Sequence, residues 1–222
     1  MSILVYKDRT LAGAAASTVL ASQIIEKPAC TLGLDYAEEL LPVYRALARM
    51  SRDGLLDWSD VRVFGLSERV RADEQNSIES QLDSALLAHV NLEKENRFMP
   101  DADASDWSVV CSGYEDEILD AGGLDCVMLN IAADGSVAFN IGAQEIAPVT
   151  HVERTAGGRV VTAGISTIMA ARKVVALITG EDKADIACSI FHGPVTPFVP
   201  ASSLQLHANA VFLLDDAAAK LI

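Results

Sequence analysis

Residues 8–26 carry apolar and alanine side chains at helical spacing (Leu11, Ala14, Ala15, Val19, Ile24 and Ile25), which predicts a helix. Ala29 to Leu34 is a short apolar run ending in Gly33-Leu34 and predicts the first central strand. Residues 36–52 return to the helical period, with Leu40, Leu41, Tyr44 and Leu47 on one face. Pro42 falls inside that pattern. Proline is tolerated only in a helix's first turn, so the regular helix should begin near Leu40 or Leu41. Val61 to Leu66 predicts a second strand, and Ser67 to Asn76 a polar loop. Ser77 to His89 predicts a helix with Ser77 as its N-cap. Arg97 to Met99 reads as a short strand, and Asp106 to Ala121 as a helix that Gly122-Gly123 ends. Leu124 to Ile131 is the next strand, and residues 141–158 show no period and read as loop. Arg159 to Ala163 predicts a strand, and Ser166 the cap of a short helix. A strand at Val174 to Thr179, a helix at Asp182 to Phe191 and a last strand at Ala210 to Leu214 follow.

This alternation predicts an α/β fold, a Rossmann-like, mostly parallel sheet with helices on both faces. No repeat or low-complexity linker divides the chain, so residues 1–222 read as one domain. In such sheets ligands bind at the carboxyl ends of strands. The stretch LDCVMLNIAADGSVAFN, from Leu124 to Asn140, places a small-residue loop and the Asp134-Gly135 turn at such an end.

Composition narrows the partners. The formal net charge of -14 argues against nucleic acid, which needs a basic footprint. The same field weakly repels anionic metabolites unless local positive charge overrides it. Cys30, Cys111, Cys126 and Cys188 are scattered, with no CxxC pair, and read as reduced, mostly buried thiols of a cytoplasmic protein. MSILVYKDRT lacks the shape of a signal peptide, and no apolar run reaches the roughly 18 residues of a membrane helix.

Several blocks resemble, in order, the glucosamine-6-phosphate deaminase and 6-phosphogluconolactonase superfamily. VMLNIAADGSVAFN is similar to the family's GxGxDGHxAFNEP, and VVTAGISTIMAARKVVALITGEDKA to its LTxGxxTLLxAxxVxxLVxGxxKA. SSLQLHANAVFLLD resembles SxLQLHPxxxxxxD, and LSERV resembles the segment DEYV or DERxV, with Arg69 closer to the lactonase form. The stretch from Gly33 to Phe64 resembles the family's first strand, phosphate loop and following helix. The resemblance implies a sugar or sugar-phosphate ligand and a cleft built from Gly33–Glu39, Ser67–Arg69, Asp134–Asn140 and Lys183.

Deamination with an aldose–ketose shift needs a base between two carbons and an acid/base group for ring opening. Carried over residue by residue, the base position is Ser67, the ring-opening histidine is Ser136, and the glutamate after AFN is Ile141. Asp134 is retained, with Glu68 beside the lost base; these two are the candidate catalytic residues. Neutral serine does not take a carbon-bound proton at pH 7 without a partner base. His151 and Glu153 lie in the following segment and could supply one. Gly33, Asp35, Arg69, Gly135, Ser136, Asn140 and Lys183 are the expected ligand contacts.

In the family, a Thr-Gly-Gly-Thr-Pro type turn directs backbone N–H groups and a helix N-terminus at phosphate. Here the matching segment is Asp35-Tyr36-Ala37-Glu38-Glu39. Asp35 and Glu38 have capping-box spacing, and the expectation is that they occupy the helix N-terminus themselves. Alternatively, Glu38 and Glu39 decorate an exposed first turn. Two like charges 4 Å apart repel by about 4 kcal/mol at an effective dielectric of 20, so either arrangement opposes a phosphate. Lys183 matches the lysine that touches phosphate in the family, and Arg154 and Arg159 flank the loop where the deaminases carry further arginines.

No cofactor and no metal are expected. Gly33 is followed by no GxGxxG, no P-loop lysine is present, and His89, His151, His192 and His207 show no metal spacing. Three functions compete: an amino-sugar-phosphate isomerase/deaminase of carbohydrate metabolism, a non-catalytic descendant that binds a ligand or partner, and a lactonase-like hydrolase in which Asp134 orients water. These residues specify neither a monomer nor a homo-oligomer.

Overall fold

The computed structural model describes residues 1–73 and 75–222. Its main sheet has seven parallel strands joined by crossovers, and a smaller antiparallel sheet stands beside it. The chain opens with β1 (Ser2–Tyr6), an exposed edge strand whose apolar run Ile3-Leu4-Val5-Tyr6 pairs with one neighbour only.

Asp8 caps α1 (Arg9–Glu26) through the N–H of Leu11 at 2.9 Å. The fully buried β2 (Thr31–Leu34) follows, then a 3-10 turn at Glu38–Leu40 and α2 (Leu41–Arg52), whose start agrees with the position of Pro42. Next come β3 (Arg62–Gly65) and β4 (Ser67–Arg69). Ser77 caps α3 (Ile78–Ala85) as expected, but the helix stops short of His89 and gives way to a 3-10 turn. Short β5 (Arg97–Phe98) precedes α4 (Trp107–Asp120), which Gly122 and Gly123 end with φ of 87° and 81°, values that favour glycine. Then come β6 (Cys126–Asn130), β7 (His151–Thr155), β8 (Gly158–Thr162), α5 (Ile165–Met169), β9 (Val174–Ile178), α6 (Ala184–His192) and β10 (Ala210–Asp215).

Three local expectations are corrected. Ser67–Arg69 is a strand rather than the start of a loop, because its backbone pairs with Val160–Thr162 of β8. His151–Thr155 is likewise a strand, paired antiparallel with β8. Gly164, not Ser166, stands at the N-cap of α5, and no side chain caps that helix.

Strand order in the large sheet is β1-β10-β9-β6-β2-β3-β5. From β2 the chain moves outward through β3 and β5. It then returns to β6 beside β2 and moves the other way. The switch point is therefore between β2 and β6, where an open α/β sheet splits to admit a ligand. Alternate residues of the strands face two cores. Leu32, Leu34, Met128, Val175 and Leu177 pack under α1, α2 and α3. Val127, Leu129, Val174, Ala176 and Ile178 pack under α4, α5 and α6. Two covered faces explain why β6 and β9 read as continuous apolar runs. No helix is long and apolar enough to cross a membrane among the described residues.

Candidate functional site

At the switch point the chain leaves β2 at Asp35. Its N–H donates to the Met128 carbonyl at 3.1 Å, and its carboxylate Oδ2 accepts from the N–H of Asn130 at 3.1 Å. Tyr44 of α2 donates its hydroxyl to the Asp35 carbonyl. Asp35 is thus fixed by both strands and one helix. Only 4 % of its surface is exposed. Burial pushes its carboxyl up to about 6, with Glu39 adding to the push, against the N–H groups of Asn130 and Tyr36 and the Lys183 charge.

Asn130 ends β6 and joins this carboxylate to a lysine. Its Oδ1 accepts from Lys183 Nζ at 3.0 Å. Lys183 is 2 % exposed, and its ammonium also lies 3.2 Å from Glu39 Oε1. Partial burial works against ionisation of Glu39, but a backbone N–H and the Lys183 charge outweigh it and hold the carboxyl below its usual range. The lysine expected to meet a phosphate is therefore engaged by a carboxylate of its own chain.

This geometry corrects the expected capping box. Neither the 3-10 turn nor α2 has a side-chain cap. Asp35 turns to the end of β6, Glu39 turns to Lys183, and Glu38 alone is exposed. Of the three carboxylates in this segment, two are held by partners across the switch point.

A cavity of about 250 Å³ opens beside Asp35 and Asn130, and neither Lys183 nor Glu39 is among its lining residues. Asp35, Tyr36, Ala37 and Asn130 form its floor from the switch point, and Ala132, Asp134 and Ser136 form one side from the turn after β6. Ala138, Phe139, Ile141 and Thr155 close the remainder. Asp134 is exposed, and its Oδ1 accepts from the N–H of Ser136 at 2.9 Å and from the Ser136 hydroxyl at 2.7 Å. Ser136 thus donates to Asp134 through both its main chain and its side chain.

Gly135 shapes the turn. Its φ is 80°, and a Cβ there would meet Ile186 Cδ1 and Val199 Cγ1 at 2.8 Å. We expect Gly135→Ala to cost about 2 kcal/mol, from left-handed strain and overpacking together. A urea melt checks this; a midpoint equal to the parent's contradicts it.

Several expected contacts lie elsewhere. Gly33 is inside β2, where a Cβ would meet Leu66 Cδ2 and Val127 Cγ2 at 3.0 Å, so it serves strand packing. Asn140 is fully buried and donates Nδ2 to the carbonyls of Val137, Ala138 and Ala163. It fastens the Ala138-Phe139 kink, whose residues have φ of 43° and 59°. Arg69 donates to the Asn76 carbonyl at 2.6 Å and to Gln81 Oε1 at 3.1 Å, with its guanidinium 5.9 Å from the Phe139 ring centre. It ties α3 to the kink rather than lining the cavity.

Glu68 departs most from its expected role. It is 6 % exposed and accepts from the N–H groups of Arg69, Ile78 and Glu79 and from the Ser77 hydroxyl. Both oxygens hold the N-terminus of α3. Ser67 is 1 % exposed, and its hydroxyl has no partner among the described residues. His151 and Glu153 face each other at 3.6 Å near the start of β7, whereas Thr155 at its other end touches the cavity. Four steps of strand separate His151 from Thr155 by roughly 13 Å. Arg154 is exposed, and the Arg159 guanidinium lies 5.7 Å from the Trp107 ring centre.

Tyr36 and Phe139 fall within the expected segments Gly33–Glu39 and Asp134–Asn140, whereas Asn130 and Thr155 line the cavity from outside them. Asn130 had a usable signal, since a polar residue ends the apolar run LDCVMLN at the carboxyl edge of a central strand. Among the described residues no cluster of three or more His, Cys, Asp or Glu side chains could hold a metal ion.

The family model described as glucosamine-6-phosphate isomerases/6-phosphogluconolactonase matches residues 11–213. The chain belongs to this family. A glucosamine-6-phosphate deaminase of Clostridioides difficile (strain 630) is 32% identical over 238 residues, covering 99% of this chain and 96% of that protein. One from Streptomyces coelicolor is 33% identical over 239 residues, covering 99% and 92%. Among solved structures, a monomeric glucosamine-6-phosphate deaminase superposes with a TM-score of 0.96 at 24% identity, covering 100% of both chains. A 6-phosphogluconolactonase from Thermotoga maritima gives 0.81 at 22% identity, covering 97% and 99%. The structural likeness confirms the α/β fold expected from the alternating pattern.

Proposed function

We propose that this member of the glucosamine-6-phosphate isomerase/6-phosphogluconolactonase family binds a small amino sugar without a phosphate group, and does not deaminate glucosamine-6-phosphate. One observation carries the reading. The Lys183 ammonium is already paired with Glu39 and Asn130, while Asp35 and Asp134 line the cavity. A phosphate dianion entering there meets two carboxylates and no unpaired cation. A cationic amino group is favoured by the same field. The cavity's volume suits a single sugar ring rather than a larger metabolite.

The absence of turnover follows from the groups at the base and ring-opening positions. Among the described residues the Ser67 hydroxyl has no partner that could accept its proton, and the Ser136 hydroxyl donates to Asp134. General acid–base catalysis needs a titrating group within reach of the transferred proton. Glu68 does not supply it, because its oxygens are held by α3.

A second reading, isomerisation with deamination of an amino-sugar phosphate, is favoured by the named activity of the relatives at 32% and 33% identity. Release of ammonia together with fructose-6-phosphate from glucosamine-6-phosphate would support that reading and overturn the first.

The electrostatic part has its own test. Glu39→Gln leaves a neutral acceptor beside Lys183 and removes one negative charge from the switch point. We expect affinity for inorganic phosphate to rise about tenfold, the equivalent of 1.4 kcal/mol. Isothermal titration of the parent and the variant reads this directly. Equal affinities would show that Glu39 does not block the anion.

A further inference from the structure

A second concavity, larger than the strand-end cavity, lies between α2 and α3 with a volume of about 780 Å³. Its α2 wall carries Arg45, Arg49 and Arg52. These are at i, i+4 and i+7, so at 100° per residue they fall on one helix face within an arc of about 60°. At 1.5 Å per residue they span roughly 10 Å along the groove. All three are exposed, and none has a carboxylate within 4 Å among the described residues.

The facing wall is complementary in chemistry. Ser80, Gln81 and Ser84 of α3 present hydroxyl and amide groups, and no described lining residue is a carboxylate. This is unusual in a chain with 31 acidic and 17 basic residues. The helix macrodipole explains basic residues in the last turn, where Arg49 and Arg52 lie. It explains neither Arg45, a turn earlier, nor a wall of polar donors opposite.

We propose that the α2–α3 groove is a binding site for a small molecule bearing two or more phosphate groups. Guanidinium forks match phosphate oxygens bidentately, and three along one line match successive phosphates better than a single one. The volume is that of a pocket for a nucleotide-sized ligand. Tyr36 lines both this groove and the strand-end cavity, so the two sites share a wall. Anion binding here does not depend on what the strand-end cavity binds.

The test is isothermal titration of the full chain with pyrophosphate, ATP and fructose-1,6-bisphosphate at low and high salt, with inorganic phosphate for comparison. The expected result is saturable 1:1 binding of at least one polyphosphate, tighter than that of inorganic phosphate and weaker at high salt. Arg49→Gln should weaken it about tenfold, as expected for one charge-assisted hydrogen bond. Arg45→Gln with Arg49→Gln should abolish it, while Asp35→Asn should leave it within twofold. These arginines are exposed, so circular dichroism and thermal melts should match the parent. No saturable binding, binding insensitive to the arginines, or binding lost in Asp35→Asn would each overturn the proposal. So would arginine-dependent sedimentation with phosphatidylserine vesicles in place of a polyphosphate titration.

Discussion

Glu68→Ala should lower the unfolding free energy by about 3 kcal/mol. The carboxylate serves four donors: the N–H groups of Arg69, Ile78 and Glu79 and the Ser77 hydroxyl. Ile78 and Glu79 are the first two residues of α3, whose amides have no partner within the helix. Removing the acceptor leaves donors in a site only 6 % exposed, and an unsatisfied buried donor costs about 1–3 kcal/mol. Ser77 still caps Ser80, which limits the loss. Glu68→Gln retains one acceptor oxygen and should fall between the two. Urea melts of the three proteins give the order directly. A group whose role is catalytic rather than structural would show unchanged melts in Glu68→Ala, and that outcome would contradict the assignment to α3.

Asp35→Asn should raise stability at pH 8 by about 2 kcal/mol and flatten its pH dependence on the acid side. The folded carboxyl titrates at about 6 and the unfolded one near 3.9. The folded state therefore holds this proton more tightly. The contribution is fully present below about pH 4 and is lost as pH rises through 6. Two units at 1.36 kcal/mol each give a loss of about 3 kcal/mol by pH 8. Asparagine removes the ionisation while its carbonyl still accepts from Asn130 N–H. Its amide needs a partner of its own, so about 1 kcal/mol of the gain is given back. Melts of parent and variant at pH 4, 6 and 8 check this. A variant less stable than the parent at pH 8, with the slope between 4 and 6 intact, would remove burial of Asp35 as the cause.

The same residue shows where the sequence is legible and where it is not. Fully buried strands announce themselves, because two covered faces demand continuous apolar runs, as in Cys126–Asn130 and Val174–Ile178. Helix caps are equally local: Asp8, Ser77 and Asp106 each act within three residues. Strands made of polar side chains carry no such mark, as in Ser67–Arg69 and His151–Thr155. The site combined both cases. The Asp134 turn and the segment that leaves β2 at Asp35 could be located from the chain alone. The destinations of the side chains could not, since Asp35 meets Asn130 and Glu39 meets Lys183 across separations of 95 and 144 residues. The capping-box spacing of Asp35 and Glu38 is a local signal that a tertiary contact overrode.

The relation between the two concavities also follows from chain connectivity. Tyr36 directly follows Asp35 at the switch point, and α2 begins five residues later. One short segment thus places carboxylates at the strand ends and guanidiniums along the adjacent helix. An acidic pocket and a basic groove sit on either side of one tyrosine.

The most direct measurement is a pair of titrations at pH 7.5, with glucosamine and with glucosamine-6-phosphate, on Arg45→Gln/Arg49→Gln protein so that the groove does not contribute. The account predicts saturable binding of glucosamine, and at least tenfold weaker binding of its 6-phosphate. Tighter binding of the phosphate ester would contradict it.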